Sequence, residues 1–327
     1  MRDRKWVLRA AALIAVLATM ALAACGGDDE GGGGSGESAE PTTLKVGVIP
    51  IADVAPLYVG MEQGFFEDEG LTIEPQIAEG GAAIATSVLS GDYQFGFSNV
   101  VSLATARSQD LPLRIVSQGA SGHESEEEAF DTLLVPGDSS IKEPTDLEGK
   151  QVAVNALSNI GPLSINYAVE EDGGDPSKIK YIEVPFPDMI AAVEAGRVDA
   201  AWVVEPFASQ GLGAGMRSIF APFEVVSPDL TIATYFANEQ YIAESGDLVD
   251  KFVRAMEKSL AYTEANPDAA REAVLTYTKI PAEAAANMKL PNWNPEYNDA
   301  SIEKTIELAE KYGYVDKSVA LDDLIRR

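Results

Sequence analysis

The stretch "VGVIPIADVAPLYVGMEQGFFEDEGL", Val46 to Leu71, decides the fold where the folded part of the chain begins. Its first residues predict a buried strand that stops at Pro50, because proline cannot donate a backbone hydrogen bond to a neighbouring strand. A helix opened by Pro56 follows, since proline suits the first turn of a helix. The loop between them, residues 51–55, is mostly apolar. We expect this loop to line the wall of a pocket.

Strand-like and helix-like segments alternate through most of the chain. The segments "TLKVGVI", "LTIEPQIA", "YQFGFS", "QVAVNA" and "VDAAWVV" are typical of strands, and helical patterns lie between them. This order predicts an α/β architecture with largely parallel sheets and right-handed crossovers. From about residue 247 the pattern becomes helical, and we expect that tail to pack as helices on the rest of the fold.

The N-terminus has the charge layout of a secretory signal. "MRDRKWVLR" is basic, and the 15-residue apolar run that follows is shorter than the ~20 residues a membrane-spanning helix needs. The sequence "LAAC" resembles the lipobox of bacterial lipoproteins, which implies removal of residues 1–24 and a lipid on Cys25. An ordinary signal peptide with an incidental cysteine is the alternative. Cys25 is the only cysteine, so an intrachain disulfide is excluded.

Residues 25–43 are rich in glycine, serine and acid, and they predict a flexible tether. Without residues 1–24 the chain keeps 20 basic and 51 acidic residues, a net charge of −31. Such a charge argues against nucleic acid or anionic lipid as partners. It does not exclude a small anion in a cleft, because the Debye length is ~8 Å at physiological salt.

One pattern occurs in both halves of the chain. "IATSVLSGDYQFGFSN" and "MIAAVEAGRVDAAWVVEP" each contain a helix, a glycine, a strand and then a polar pair. Gly91 and Gly196 lie where a helix ends in the left-handed conformation that glycine adopts without strain. The pairs Ser98-Asn99 and Glu205-Pro206 follow strands, where open α/β sheets bind ligands. The repeat predicts two lobes with a cleft between them. The alternative is that a helix, a glycine and a strand in succession are simply common in α/β folds.

The segments "GVIPIADVAPLYVGMEQGFFEDEGL", "VLSGDYQFGFSN" and "AAVEAGRVDAAWVVEPF" resemble the substrate-binding proteins of ABC importers in the nitrate, sulfonate and taurine group, which also includes relatives of thiamine-precursor binders. The resemblance covers residues 44 to about 262. It implies a two-lobed periplasmic-binding-protein fold of type II, with two crossing strands and a ligand cleft that closes by hinge motion. Lobe one would comprise residues 44–132 plus 233–327, and lobe two residues 133–232.

Four predicted helix starts lie on the expected cleft face, and helix N-termini attract anions through free N–H groups. Helix capping is the alternative role for each of them. These starts contain most of the candidate ligand-binding residues: Asp53, Val54, Ala55, Gly80, Gly81, Ser98, Asn99, Ser158, Asn159, Ile160 and Gly161.

No arginine or lysine lies in these segments, although pockets for multiply charged anions usually contain arginine. The carboxylates of Asp53 and Glu205 either cap helices or accept hydrogen bonds from an amine or aminopyrimidine. Tyr58 and Phe186 are candidates for stacking on a planar ligand, and Asp188 completes the set. Other aromatic residues in predicted strands, such as Phe97 and Trp202, are expected in the core.

Reactive groups are scarce. His123 is the single histidine and stands beside an acidic run, so we interpret it as a surface residue. No motif predicts a catalytic residue, a metal site or a cofactor. The sequence therefore predicts a monomeric, lipid-anchored binding protein outside the cytoplasm that delivers a sulfonate, nitrate, taurine or similar molecule to an ABC permease. A binder of an aminopyrimidine or thiamine precursor is the alternative, and an enzyme of the same fold in cofactor biosynthesis is another.

Overall fold

A computed structural model describes residues 40–327. The predicted signal peptide, Cys25 and the predicted tether up to residue 39 lie outside the described residues. Within the described part, no helix has both the length and the apolar character needed to cross a membrane.

The strands form two sheets of five. Numbered in chain order, they are β1 Thr42–Val48, β2 Leu71–Ile77, β3 Phe95–Asn99, β4 Leu113–Ser121, β5 Asp131–Val135, β6 Gln151–Val154, β7 Lys180–Glu183, β8 Ala200–Val204, β9 Arg217–Ser218 and β10 Thr231–Asn238.

Helices cover both sheets. They are α1 Ala55–Glu62, α2 Phe65–Asp68, α3 Gly81–Leu89, α4 Val100–Ser108, α5 Ile160–Glu171, α6 Phe186–Glu194, α7 Phe207–Gly213, α8 Pro222–Val226, α9 Glu239–Glu244, α10 Gly246–Ala265, α11 Pro267–Tyr277, α12 Ala282–Asn287, α13 Asp299–Lys311 and α14 Leu321–Leu324. Short 3₁₀ turns lie at Ala52–Val54, Pro144–Leu147 and Pro176–Lys178.

The two sheets have the same plan. Sheet one has the order β2-β1-β3-β10-β4, and sheet two has the order β7-β6-β8-β5-β9. In sheet one β1 pairs in parallel with β2 and β3, while β10 runs antiparallel to β3 and β4. In sheet two β6 pairs in parallel with β7 and β8, while β5 runs antiparallel to β8 and β9. We call each sheet with its helices lobe one and lobe two.

The chain passes between the sheets twice. Residues 122–130 lead from β4 in sheet one to β5 in sheet two, and residues 219–230 lead from β9 back to β10. The antiparallel strand of each sheet therefore follows a crossing. The lobe boundaries at residues 132 and 233 stay predictions.

The C-terminal helices pack on both lobes, as the helical pattern predicts. Helix α10 lies on α1 and α2 of lobe one, and α12 lies on α7 of lobe two. Helix α13 contacts α4 and α5, and so touches both. Just beyond α13, the Tyr314 hydroxyl accepts a hydrogen bond from Asn166 Nδ2 at 3.2 Å. The backbone carbonyl of Tyr314 accepts another from the Thr105 hydroxyl at 3.2 Å. The tail therefore holds the two lobes together away from their crossings.

Close helix packing in lobe one depends on Gly60 of α1. A Cβ at this position would lie 1.9 Å from the Ser259 hydroxyl oxygen and 2.9 Å from a ring carbon of Phe66. We expect Gly60→Ala to lower the free energy of unfolding by about 1–3 kcal/mol in urea titrations, because the overpacked helices must move apart. Gly246→Ala is the matched control, since no atom lies within 4 Å of its added Cβ. Equal stability of the Gly60 variant and the wild type would contradict this packing.

Candidate ligand-binding site

A small cavity of about 30 Å³ lies where the two lobes meet. Lobe one contributes Ile49, Ile51, Asp53, Phe97, Asn99, Ile232 and Ala233. Lobe two contributes Asn155, Asn159, Ile160, Phe186, Trp202, Val204 and Phe223. Several of these residues lie at or just after the carboxyl ends of parallel strands, where α/β sheets bind ligands.

Of the described residues that line this cavity, Asp53 alone carries a carboxyl group. It lies in the 3₁₀ turn between β1 and α1, and only 2% of its surface is exposed. Its Oδ1 has no hydrogen-bond partner. Burial raises the pKa of Asp53 from 3.8 to about 7, because a charged carboxylate loses its hydration there.

The turn that carries Asp53 is held from the C-terminal part of the chain. The Tyr277 hydroxyl donates to the Ile51 carbonyl at 3.0 Å, and Trp293 Nε1 donates to the Asp53 carbonyl at 3.4 Å. Trp293 is 1% exposed, so this support is itself part of the core. These contacts fix the backbone of the turn and do not involve the Asp53 carboxyl group.

Two asparagines connect the lobes beside Asp53. Asn99 Nδ2 donates to Asn159 Oδ1 at 2.6 Å, and Asn159 Nδ2 donates to the Ser102 hydroxyl at 3.0 Å. Each amide oxygen also caps a helix, because Asn99 Oδ1 accepts from the Ser102 N–H at 3.0 Å and Asn159 Oδ1 accepts from the Ile160 N–H at 2.6 Å. Capping and lining the cavity are therefore compatible roles for the same side chains.

Asn155 is a lining residue that the sequence analysis missed. Its Oδ1 is buried and has no hydrogen-bond partner. It follows β6, so its position after a strand is the signal that could have found it. Together with Asp53 it places two unsatisfied acceptors at the cavity, and buried acceptors without donors are costly.

Aromatic side chains form much of the wall. Phe186 lies 5.7 Å from Trp202 between ring centroids, and Trp202 meets the Phe223 ring edge-on at 5.5 Å. Gly161 lies against the indole, since a Cβ there would come 2.4 Å from a Trp202 ring carbon. Phe97 and Trp202 are buried, as expected of core residues, and they also line the cavity.

The other candidates lie elsewhere. Val54 and Ala55 are fully buried, and neither lines the cavity. Tyr58 stacks on Tyr277 with 4.1 Å between ring centroids. Ser98 packs against Gly81, whose added Cβ would lie 2.1 Å from the Ser98 hydroxyl. Three more lie away from the cavity lining: Gly80, with no atom within 4 Å of an added Cβ, and the exposed Ser158 and Asp188.

Glu205 has a structural environment. Its carboxylate accepts from the Ser209 N–H at 3.0 Å, the Ser209 hydroxyl at 2.8 Å and the Lys289 N–H at 3.1 Å. Burial raises its pKa to about 7. Its backbone carbonyl accepts from the Ala52 N–H at 2.9 Å, across the lobes. Glu205 therefore ties both lobes together next to Asp53 while its carboxylate lies outside the cavity lining.

The polar side chains that line the cavity are neutral apart from Asp53. Among the described residues that line it, none is arginine, lysine or histidine. His123 is not part of this lining, and its Nε2 lies 2.7 Å from the Leu290 carbonyl oxygen. The geometry suits a small, partly aromatic molecule that donates hydrogen bonds, held between two lobes.

A cavity between two lobes joined by two chain crossings is typical of solute-binding proteins. Residues 51–270 match the family model described as NMT1/THI5 like. The chain belongs to this family, which includes substrate-binding proteins of ABC importers.

Relatives and solved structures agree with this assignment. The chain is 26% identical over 266 residues to the formylaminopyrimidine-binding protein of Halalkalibacterium halodurans, covering 80% of this chain and 77% of that protein. It is 30% identical over 142 residues to the taurine-binding periplasmic protein of Escherichia coli, covering 43% and 42%. The structure of the periplasmic aliphatic sulphonate-binding protein of Escherichia coli superposes with a TM-score of 0.71 at 18% identity, over 88% of this chain and 92% of that one. The predicted two-lobed α/β fold is thereby confirmed.

The unpartnered Asp53 carboxylate predicts a stability change that depends on pH. Because its pKa is higher in the folded protein than in the unfolded chain, the free energy of unfolding falls as pH rises from about 4 to about 7. Asp53→Asn removes this loss. In urea unfolding without added ligand, we expect the free energy of unfolding of the variant to exceed that of the wild type by about 1–4 kcal/mol at pH 8 and to equal it at pH 4.

Asp188→Asn is the matched control for this measurement, because Asp188 is an exposed aspartate in the first turn of α6. It should change stability by less than about 0.5 kcal/mol at both pH values. A gain for Asp53→Asn that is equal at pH 4 and pH 8 would show that burial of the charge is not its cause.

Proposed function

We propose that this protein is an extracytoplasmic solute-binding protein that carries an aminopyrimidine, or a similar planar molecule with N–H donors, to an ABC permease. The observation that carries the proposal is the buried Asp53 Oδ1, which has no hydrogen-bond partner in a cavity without cationic side chains. An exocyclic amino group would supply the missing donor. The name of the Halalkalibacterium halodurans relative supports the same ligand class.

The amides around Asp53 extend this recognition. Asn155 Oδ1 is a second free acceptor, while the amide nitrogens of Asn99 and Asn159 each make one hydrogen bond and keep a second N–H for a ring nitrogen. The rings of Phe186 and Trp202 provide flat apolar surface on the lobe-two side. An aromatic ring with polar edges would use all of these groups at once.

Nitrate and simple alkylsulfonates fit the same cavity less well. Their negative charge would face the Asp53 carboxylate, and no lining side chain carries a positive charge to offset it. Taurine is intermediate, since its ammonium group could meet Asp53 while its sulfonate would find only neutral donors.

Ligand entry requires the lobes to separate. A cavity of about 30 Å³ holds roughly one water molecule, far less than a pyrimidine needs. Separation would break the contact between Asn99 and Asn159 and the backbone bond between Ala52 and Glu205. A ligand that takes over these hydrogen bonds would restore closure, which is how binding would be signalled to a permease.

The finer parts of the assignment come from the sequence. We infer a signal peptide at residues 1–24, a lipid on Cys25, and a tether that keeps the protein at the membrane surface outside the cytoplasm. The tether would run from residue 25 to the start of β1, because Thr42 and Thr43, which the sequence analysis places in it, pair with β2. The two lobes, residues 44–132 plus 233–327 and residues 133–232, would act as a monomer on a small molecule. Binding without chemical change is the proposed activity, because no nucleophile and base pair converges on the cavity lining.

A ligand panel tests the binding proposal. A formylaminopyrimidine should raise the melting temperature, with a stabilisation of ~2.7 kcal/mol at 100 times its Kd, while nitrate and ethanesulfonate should not. Calorimetry should show its affinity falling as pH drops below about 7, approaching tenfold per pH unit, because Asp53 must be ionised to accept. Asp53→Asn should weaken binding at pH 8 and remove this pH dependence. A sulfonate that raises the melting temperature of both the wild type and Asp53→Asn would refute the proposed ligand class.

The lipid anchor has its own test. Expression of the full chain in a bacterium fed radiolabelled palmitate should label the wild type and leave Cys25→Ala unlabelled, since Cys25 is the only thiol. Cys25→Ser provides a second control of nearly the same size. Labelling that persists in both variants would rule out the anchor at this position.

A further inference from the structure

A second buried acid lies behind the aromatic wall of the cavity. Trp202 Nε1 donates to Asp131 Oδ2 at 2.9 Å, between neighbouring strands β8 and β5. Asp131 is 2% exposed and begins β5, directly after the first crossing between the sheets. The bond therefore links the indole that lines the cavity to the chain that joins the lobes.

Asp131 faces another carboxyl group instead of a cation. The side chain of Glu224 in α8 lies within hydrogen-bonding reach of it. Asp131 Oδ1 and both carboxyl oxygens of Glu224 are inaccessible to solvent and have no hydrogen-bond partner. Two ionised carboxylates cannot hydrogen-bond to each other and repel strongly at low dielectric, so the pair is stable only when it holds a proton.

The remaining charged groups around the pair come from several elements. His123 lies near Glu224 on the first crossing, and Glu126 accepts the Ala221 N–H at 3.1 Å with its own carboxylate. Asp131 borders a separate cavity of about 120 Å³ whose charged lining residues are Glu126, Glu205 and the exposed Lys289. Asp229 stands beside His123 on the second crossing. None of these groups forms an ion pair with Asp131 or Glu224 among the described residues.

The hydrogen bond from the indole decides which Asp131 oxygen shares the proton. Asp131 Oδ2 already accepts from the indole, so Oδ1 is the atom that shares a hydrogen with Glu224. Backbone N–H groups lie near both partners, those of His123 and Glu224 near the Glu224 carboxyl group and that of Phe223 near Asp131. Burial raises the pKa of both carboxyl groups above their usual values.

We propose that Asp131 is a positioning residue for ligand binding: it shares one proton with Glu224, and this pair fixes the Trp202 indole as a wall of the cavity. The chain of contacts runs from Glu224 to Asp131, to the indole and to the ligand. The indole is tightly confined, because Gly161 lies against it and Phe223 meets it edge-on at 5.5 Å. The part of this proposal that concerns ligand rests on the proposed function, while the part that concerns the indole does not.

Two variants at Asp131 separate hydrogen bonding from shape. In Asp131→Asn the amide oxygen accepts from Trp202 and the amide N–H donates to Glu224, which reproduces the shared-proton pattern without a titrating group. Asp131→Leu has similar volume and neither hydrogen bond. Both are measured without ligand, through the indole ¹H–¹⁵N resonances of Trp202 and Trp293 in the protein labelled at tryptophan, with Trp202→Phe assigning the first.

We expect the Trp202 resonance of Asp131→Asn to stay close to the wild-type position and that of Asp131→Leu to move upfield, since its N–H loses its acceptor. When pH is raised from 8, where Asp53 and Glu205 are already ionised, the wild-type resonance should shift as the pair of Asp131 and Glu224 loses its proton, and that of Asp131→Asn should stay constant. The pH comparison remains decisive if Asp131→Leu does not fold. A wild-type resonance that is constant with pH, or one that titrates equally in Asp131→Asn, would overturn the shared proton.

Binding of a formylaminopyrimidine supplies the functional readout. At pH 7 Asp131→Asn should bind within about threefold of the wild type, and Asp131→Leu should bind at least about tenfold more weakly. Equal binding by folded Asp131→Leu and the wild type would overturn the positioning role. Absence of binding by all three proteins, with the indole results as expected, would refute the proposed ligand and leave the acid pair established.

Discussion

The carboxylate of Asp53 is buried without a positive partner, and the character of the whole cleft depends on this one fact. Ionised, it loses hydration that no arginine or lysine replaces, which is why its pKa rises to about 7. The fold tolerates the group because the turn around it is fixed through its backbone by Tyr277 and Trp293. Under the proposed function, a ligand N–H satisfies this acceptor, and molecules without such a donor would bind less well.

Side-chain amides and backbone groups join the two lobes at the cavity. The amides of Asn99 and Asn159 bond to each other across the lobes while each caps its own helix. Beside them, the Ala52 N–H donates to the Glu205 carbonyl from the opposite lobe. The cavity of about 30 Å³ between these contacts keeps two acceptors without a partner, Asp53 Oδ1 and Asn155 Oδ1. Under the proposed function, a ligand with N–H donors would satisfy them.

The sequence predicts the fold well because the necessary information is local. Alternating apolar segments, prolines at helix starts, and glycines with positive φ such as Gly91 and Gly196 specify elements and their ends without long-range contacts. The positions of Asp53, Asn99 and Asn159 after strands follow from the same local pattern. Their roles in ligand binding stay predictions, since lining a cavity is a weaker statement than binding.

What the sequence could not supply are directions of side chains and pairings over long separations. Glu205 follows a strand just as Asn99 does, yet its carboxylate turns to the N–H groups of Ser209 and Lys289, the second of them 84 residues away. In the sequence, Asp131 has no feature beyond its place at the start of a strand. Its contacts with Glu224 and the Trp202 indole form only in the folded chain. Asn155 gives no local signal beyond its place after β6. Tertiary contacts alone decide whether such polar groups serve the core or the cavity.

A crystal structure of the protein with a bound formylaminopyrimidine tests the central claim most directly. The account predicts the lobes closed on the ring, with a ligand N–H within about 3.2 Å of an Asp53 carboxylate oxygen. A ligand bound between the lobes whose donors all contact other groups, while Asp53 Oδ1 keeps no partner, would contradict it.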